Sequence, residues 1–326
     1  MRSIKEITIP DSVTVIGRNA FSYCQNIITV NMSDSIETIG NSAFYNCKAL
    51  LAIELPDSAK SIGSQCFYDC DALTRIIIPD NIVVGEAAFQ YCSVLEALNL
   101  PENVTLGSRA FANCDNLNKV TFEGTTAVLE SSVFNTCHNL QYVVFPEKLE
   151  EISDGCFAYC TTLASISLPS SIKKIGNESF YRCDKLVSIE LPDGISLGNS
   201  TFSNCGTLTD VKFSGRCEAI GSSCFARTAI KSFVIPDGLK TLGASAFVDC
   251  SSLAEVTFND ELEVIGNTVF YNCTALTSVS LPDTLVSIGA RAFGITINWL
   301  NISASSQTRS FDKQEPRKMN PIAITA

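Results

Sequence analysis

A phenylalanine recurs every 22 or 23 residues along almost the entire chain, at Phe21, Phe44, Phe67, Phe89, Phe111, Phe134, Phe157, Phe180, Phe202, Phe225, Phe247, Phe270 and Phe293. Self-similarity with a period of roughly 20 to 50 residues marks an array of small stacked units, and it constrains the fold more than any local propensity does. A unit of 22 residues cannot bury its own apolar face, so its neighbours must cover it. Thirteen such units give one long shared core and not a sphere.

Around the anchor the other positions keep their chemical type. The fifth residue before it is Ile, Leu or Val in every unit, from Ile16 to Ile288, and the fourth before it is Gly except at Glu130 and Ser153. The third after it is Cys in 11 units and Thr in the two others, Thr228 and Thr296. Leu usually follows at the sixth place, aliphatic residues or Phe stand at the ninth and eleventh, and a turn such as Pro-Asp closes many units. In "LTSVSL", residues 276–281, apolar Leu276, Val279 and Leu281 leave Ser278 and Ser280 facing out, as a strand with one buried face requires.

The period and this strand pattern fit leucine-rich repeats. The usual Asn of that pattern is absent, and Ser, Asn, Thr or Gly beside Pro and Asp takes its place, which predicts a tight turn and not an asparagine ladder at the strand end. The other half of a unit, as in "SIETIGNSAF" at 35–44, reads as a short extended piece, a Gly turn, and a brief helical or irregular turn that carries the Phe. The expected fold is a solenoid of about 13 rungs, with a parallel β-strand face and short turns or irregular or helical segments opposite. "IPDSVTVIGRNAFSYC" and "LPDTLVSIGARAF" resemble the BspA-type leucine-rich repeat, similar to the repeats of treponemal and Bacteroides surface proteins, and the resemblance spans residues 4 to about 302. It implies a scaffold that is mostly found at the cell surface or secreted, several members being implicated in adhesion to host proteins and other cells. It carries no catalytic residue.

The solenoid is expected over residues 1–302 and a polar, disordered tail over 303–326. The chain begins in the middle of a repeat, at Ile4, Ile7, Ile9 and Pro10, which suggests a truncated start; Trp299 stands where Leu usually sits and would serve an irregular cap. Acidic residues outnumber basic ones by 34 to 23, a net charge of −11 that disfavours nucleic acid, because phosphate binding needs a basic face. No run of about 18 apolar residues is present to span a membrane, and "MRSIKEITIP" lacks the apolar core of a signal peptide. N-x-[ST] triplets occur, as at Asn103 and Asn301, but are frequent by chance.

All 15 cysteines fall on packing positions. Eleven form the column after the Phe, Cys66, Cys156 and Cys224 precede a Phe, and Cys217 stands where other units have Val, Ile or Leu. Parallel side chains on neighbouring rungs would lie about 4.8 Å apart at Cβ, wider than the ~3.8 Å of a disulfide. They read as buried free thiols, with isolated disulfides or a regulatory thiol as alternatives. No Cys-x-x-Cys pair suggests zinc, and neither a metal nor a cofactor is expected. The single histidine, His138, follows Cys137, but neighbours in sequence rarely face one another, and the other repeats put variable surface residues at its place. No phosphate-binding glycine loop, H-E-x-x-H or G-x-S-x-G motif occurs, so no enzyme is expected.

A ligand of a curved solenoid tends to bind the strand face. Its outward positions, the eighth and tenth after the anchor, are mostly small and polar. Arg75, Ile77, Lys119, Tyr142 and Val144 stand out within four successive rungs, and Arg, aromatic and aliphatic residues together resemble an interface centre. The register slips by one in "ARTAIKSFVIP", giving Ser232 and Val234. Seven of the eight Tyr follow an anchor by one or two residues and are expected to pack, half-buried, on the opposite edge. The expected activity is protein binding by a surface or secreted adhesin-like scaffold whose partner is a host extracellular-matrix or cell-surface protein; a cytoplasmic interaction scaffold is the alternative.

Overall fold

A computed structural model describes residues 4–294 and the strand Asn301–Ala304. The expected cap at Trp299 and the tail after Ala304 lie outside the described residues. From Phe21 to Phe293 the anchor rings stack in 12 successive pairs, centroids 5.0 to 6.0 Å apart and planes within 20° of parallel, so the chain completes 12 turns of a coil between them. The core is this spine with the aliphatic columns and thiols around it.

The strands of the described residues pair in parallel, because each meets the equivalent segment of an adjacent turn on at least one side. They form two rows. The first row is the expected face, built from strands of three or four residues such as Ala97–Leu100, in which Leu98 and Leu100 are buried and Ala97 and Asn99 exposed. The second row precedes the Gly column with strands such as Thr38–Ile39 and Ser61–Ile62, whose Ile39 and Ile62 are buried. The predicted register slip is present: Ser232 pairs with Glu255 and Val234 with Thr257. Tight turns follow the first row as expected, Val13 N–H bonding Pro10 O at 2.9 Å and Ala59 N–H bonding Pro56 O at 2.9 Å.

The helical alternative for the anchor segment is corrected: no helix occurs among the described residues. A helix spends its N–H groups on carbonyls of its own chain four residues back. Here they alternate in destination. Ala20, Ser22 and Cys24 close three-residue turns onto Gly17, Asn19 and Phe21, whereas Asn19, Phe21 and Tyr23 donate to Asn41, Ala43 and Tyr45 of the next rung at 2.7 to 3.0 Å. The bend this needs is made by left-handed residues. Of 26 described non-glycine residues with positive φ, 24 lie two places before or two places after an anchor, and Gly155 fills the one such place that they leave.

Close approach explains the Gly column. A Cβ on Gly198 would sit 2.6 Å from Asn177 N and 2.7 Å from Gly176 C on the rung below, inside any real contact distance. Beside that column runs an interrupted amide ladder. Asp154 Oδ1 accepts from Asn177 N at 2.7 Å, Asn177 Oδ1 from Asn199 N at 2.7 Å, and Asn199 Oδ1 from Ser222 N at 2.8 Å. Side-chain ladders of this kind therefore exist in the fold, displaced from the strand end to the Gly turn.

The thiols form a third ladder. Cys47, Cys70, Cys92, Cys114, Cys137, Cys160, Cys183, Cys205, Cys250 and Cys273 each donate S–H to the carbonyl of the Phe one rung earlier, at 3.0 to 3.4 Å. Cysteine fits because it packs as a small hydrophobe and still carries a weak donor. Thr228, in the same column, turns its hydroxyl to Phe225 O of its own rung. All 15 cysteines are unbridged.

Candidate interaction surface

The reactive-looking pair of the sequence separates in the fold. Cys137 is buried, its Sγ on Phe111 O at 3.2 Å, and burial pushes its thiol up to about 12. His138 is exposed on the other side of the backbone, its Nδ1 3.1 Å from Asp115 Oδ1. A thiol held protonated and directed at a carbonyl is a poor nucleophile. Desolvation likewise holds Cys47, Cys92, Cys156 and Cys217 at about 12. Among the described residues no group of three or more His, Cys, Asp or Glu is placed to hold a metal.

The strand face collects the five residues singled out in the sequence. Arg75 and Ile77 lie on one strand, opposite Ala52 and Glu54 of the strand before. Lys119 pairs with Ala97 on one side and Tyr142 on the other, and Thr121 pairs with Asn99 and Val144. Arg75, Ala97, Lys119 and Tyr142 are thus successive members of one column, and Ile77, Asn99, Thr121 and Val144 of the next. A shallow groove lined by Arg75, Ile77, Ala97 and Asn99 joins the strand Arg75–Ile77 to the strand Ala97–Leu100. At ~4.8 Å per strand, Arg75 and Lys119 stand roughly 10 Å apart at the backbone.

Exposure grades the patch. Tyr142 is 62% exposed and Val144 51%, Arg75 and Lys119 are exposed, and Ile77 is half-buried. Neither Arg75 nor Lys119 makes an ion pair among the described residues, whereas Lys212, the other outward lysine of this face, is 3.3 Å from Asp210. Two features of the face escaped the sequence. Val234, 66% exposed, was counted in the outward column without being singled out. Thr121 Oγ1, between Asn99 and Val144, is the one buried side-chain oxygen or nitrogen among the described residues that lacks a hydrogen-bond partner. Its alternation marked it as outward, but nothing in the sequence shows that its neighbours cover the hydroxyl and leave it unbonded.

The tyrosines of the opposite edge also meet from rung to rung, Tyr45 and Tyr68 face to face and the others tilted or edge-on. Tyr23, Tyr45, Tyr68 and Tyr91 follow one another at 5.0 to 5.3 Å, with Tyr45 and Tyr68 half-buried and Tyr23 65% exposed. Their edge is wetter at its ends than the half-buried packing expected.

Comparison with known proteins adds the relatives. A family model described as "BspA type Leucine rich repeat region" matches in six copies over residues 1–118, 127–254 and 218–315. No curated protein matches the chain. A leucine-rich repeat protein of Bacteroides ovatus is similar in structure with a TM-score of 0.76, 29% identical, over 90% of this chain and 86% of its own. A leucine-rich repeat protein of Eubacterium ventriosum is similar in fold with a TM-score of 0.53 at 19% identity, over 95% of this chain and 86% of its own.

Proposed function

Because the chain belongs to the BspA-type leucine-rich repeat family, we propose that it is a non-enzymatic protein-binding scaffold whose strand face docks a partner protein at Arg75, Ile77, Lys119, Tyr142 and Val144. The observation that carries this reading is the pair of unpaired cations, Arg75 and Lys119, on one column with exposed Tyr142. On a chain of net charge −11 these two cations stand without an ion pair among the described residues, although Glu96 and Glu123 line the same groove as Arg75. The partner it fits presents carboxylates roughly 10 Å apart for the two cations, two strand spacings, with an apolar group one strand beyond the second of them for Tyr142 and Val144. Family resemblance supports a cell-surface or secreted, adhesin-like protein that meets such partners on host matrix or neighbouring cells. The 15 unbridged thiols favour the second reading, an intracellular scaffold with the same face. Fractionation of the source cells separates the two.

The test is binding to a panel of purified, acidic extracellular-matrix proteins, comparing the parent with the triple variant Arg75→Glu, Lys119→Glu, Tyr142→Ser. Binding by the parent that the variant loses supports the reading, with an affinity loss of about 100-fold or more for two reversed charges and a removed aromatic anchor. Binding that the variant keeps moves recognition off the strand face. No binding to any acidic protein removes the adhesin reading.

A further inference from the structure

The second row of strands has a single interruption among the described residues. Six strands run in one sheet from Val15–Ile16 to Ala127–Leu129, and seven in another from Glu151–Ile152 to Ser287–Ile288. Pairing stops between Leu129 and Ile152, although these residues belong to successive rungs. Those two rungs carry Glu130 and Ser153 in place of Gly. Elsewhere the residue at this position gives its N–H to the rung below, as Gly107 does to Val84 O at 2.8 Å, Glu130 to Leu106 O at 2.9 Å and Gly176 to Ile152 O at 2.8 Å. Ser153 reaches Leu129 O with its hydroxyl instead, at 2.8 Å.

The Cβ that Gly85, Gly107 and Gly198 have no room for is present at both Glu130 and Ser153, yet only Ser153 gives up the backbone bond, because its short hydroxyl takes the Leu129 carbonyl that its N–H would otherwise reach. The ring spine keeps its ordinary spacing across the boundary, Phe134 and Phe157 lying 5.5 Å apart like Phe157 and Phe180, so the break is confined to the second row and the ring edge is continuous. The strand face does not bridge the boundary: it is paired only in runs of two or three strands along its whole length, and residues 164–168 form no strand between Tyr142–Val144 and Ser188–Leu191. The opposite edge stays joined. Ser132, Phe134 and Thr136 donate to Asp154, Cys156 and Ala158 at 2.8 to 2.9 Å, and Cys160 Sγ donates to Phe134 O at 3.3 Å.

We infer that the solenoid carries a hinge at this boundary: two hydrogen-bonded stacks, one ending at Leu129 in the second row and one beginning at Ile152, rock about the continuous ring and thiol edge and open on the strand side. Tyr142 and Val144 lie on the rim of the opening, on the last paired strand before it, so its angle sets how the patch meets the second half of the strand face. The hinge stands on the hydrogen-bond pattern whether or not the patch binds a protein.

Distance distributions between spin labels test it. Cys24→Ala removes the one partly exposed thiol, and labels go on Lys60→Cys and Lys240→Cys, one in each stack, both exposed positions. The expected result is a broad distribution that the further change Ser153→Gly narrows by about twofold, because it restores the close-packed turn and stills a collective motion. In a second pair within the later stack, Lys173→Cys with Glu263→Cys, the change Gly198→Ser should broaden a narrow distribution by transplanting the fault. Equal widths with and without Ser153→Gly, or no broadening by Gly198→Ser, would overturn the hinge.

Discussion

Glu178 and Gly155 occupy the same place in their rungs, two before the anchor, and both have positive φ, 55° and 63°. That conformation costs an L-residue about 1 kcal/mol and glycine almost nothing. The fold demands it twice per rung, because only there can the backbone turn its alternate N–H groups toward the next rung. Glu178 is exposed, so Glu178→Gly removes strain without removing packing. It should raise stability by about 0.5 to 1 kcal/mol, the strain relieved less part of the entropy that Gly loses on folding. Gly155→Ala should lower it by about 1 kcal/mol, since the new Cβ also meets Ser132 Oγ at 3.0 Å. Chemical denaturation of both variants checks the pair; shifts of the same sign would refute the assignment. These positions were illegible in the sequence, because Asn, Ser, Arg, Glu, Tyr and Asp all fill them and no residue type announces the bend. The anchor segment therefore allowed a helical turn.

The ladders between rungs explain what was legible. Phe, Cys and Gly columns serve side-chain volume, a thiol donor and close backbone approach, three requirements that few residue types meet, so they survive as visible periodicity. The Asp154–Asn177–Asn199 ladder is not legible in the period, because it covers only some rungs and sits beside the Gly turn, away from the strand end. The thiol column makes a pH prediction. The buried thiols have folded values raised, to about 12 for Cys47, Cys92, Cys137, Cys156 and Cys217, from an ordinary value of 9.0. A raised acid contributes stability that is complete below the unfolded value and is lost as pH climbs toward the folded one. Stability should hold to pH 8 and fall steeply from about pH 9 upward. Denaturation midpoints at pH 7, 9, 10 and 11 measure this, and an unchanged midpoint at pH 11 would contradict it. At neutral pH a thiol reagent should label Cys24 in the native protein and all 15 cysteines after unfolding; ready native labelling of the column would show that the ladder is not closed.

At the scale of the whole molecule the rungs form one spine. Phe157 is fully buried, 5.5 Å from both Phe134 and Phe180 and edge-on to Phe145, so Phe157→Ala should cost about 3 to 5 kcal/mol in chemical denaturation. An unchanged midpoint would remove the spine from the account of stability. The repeat in the sequence showed the solenoid, its strand face and which side chains leave the core, because alternation and period encode them directly. It did not show that Arg75 and Lys119 make no ion pair among the described residues, or that Thr121 is covered and unsatisfied, since both depend on distances between rungs. The measurement that bears most directly on the function is hydroxyl-radical footprinting of tyrosines, with and without a matrix protein captured by the parent and lost by the triple variant. Tyr142 reports the strand face, and Tyr23, 65% exposed on the opposite edge, is the internal control. Protection of Tyr142 with Tyr23 unchanged is the predicted result; protection of Tyr23 while Tyr142 stays reactive would contradict docking on the strand face.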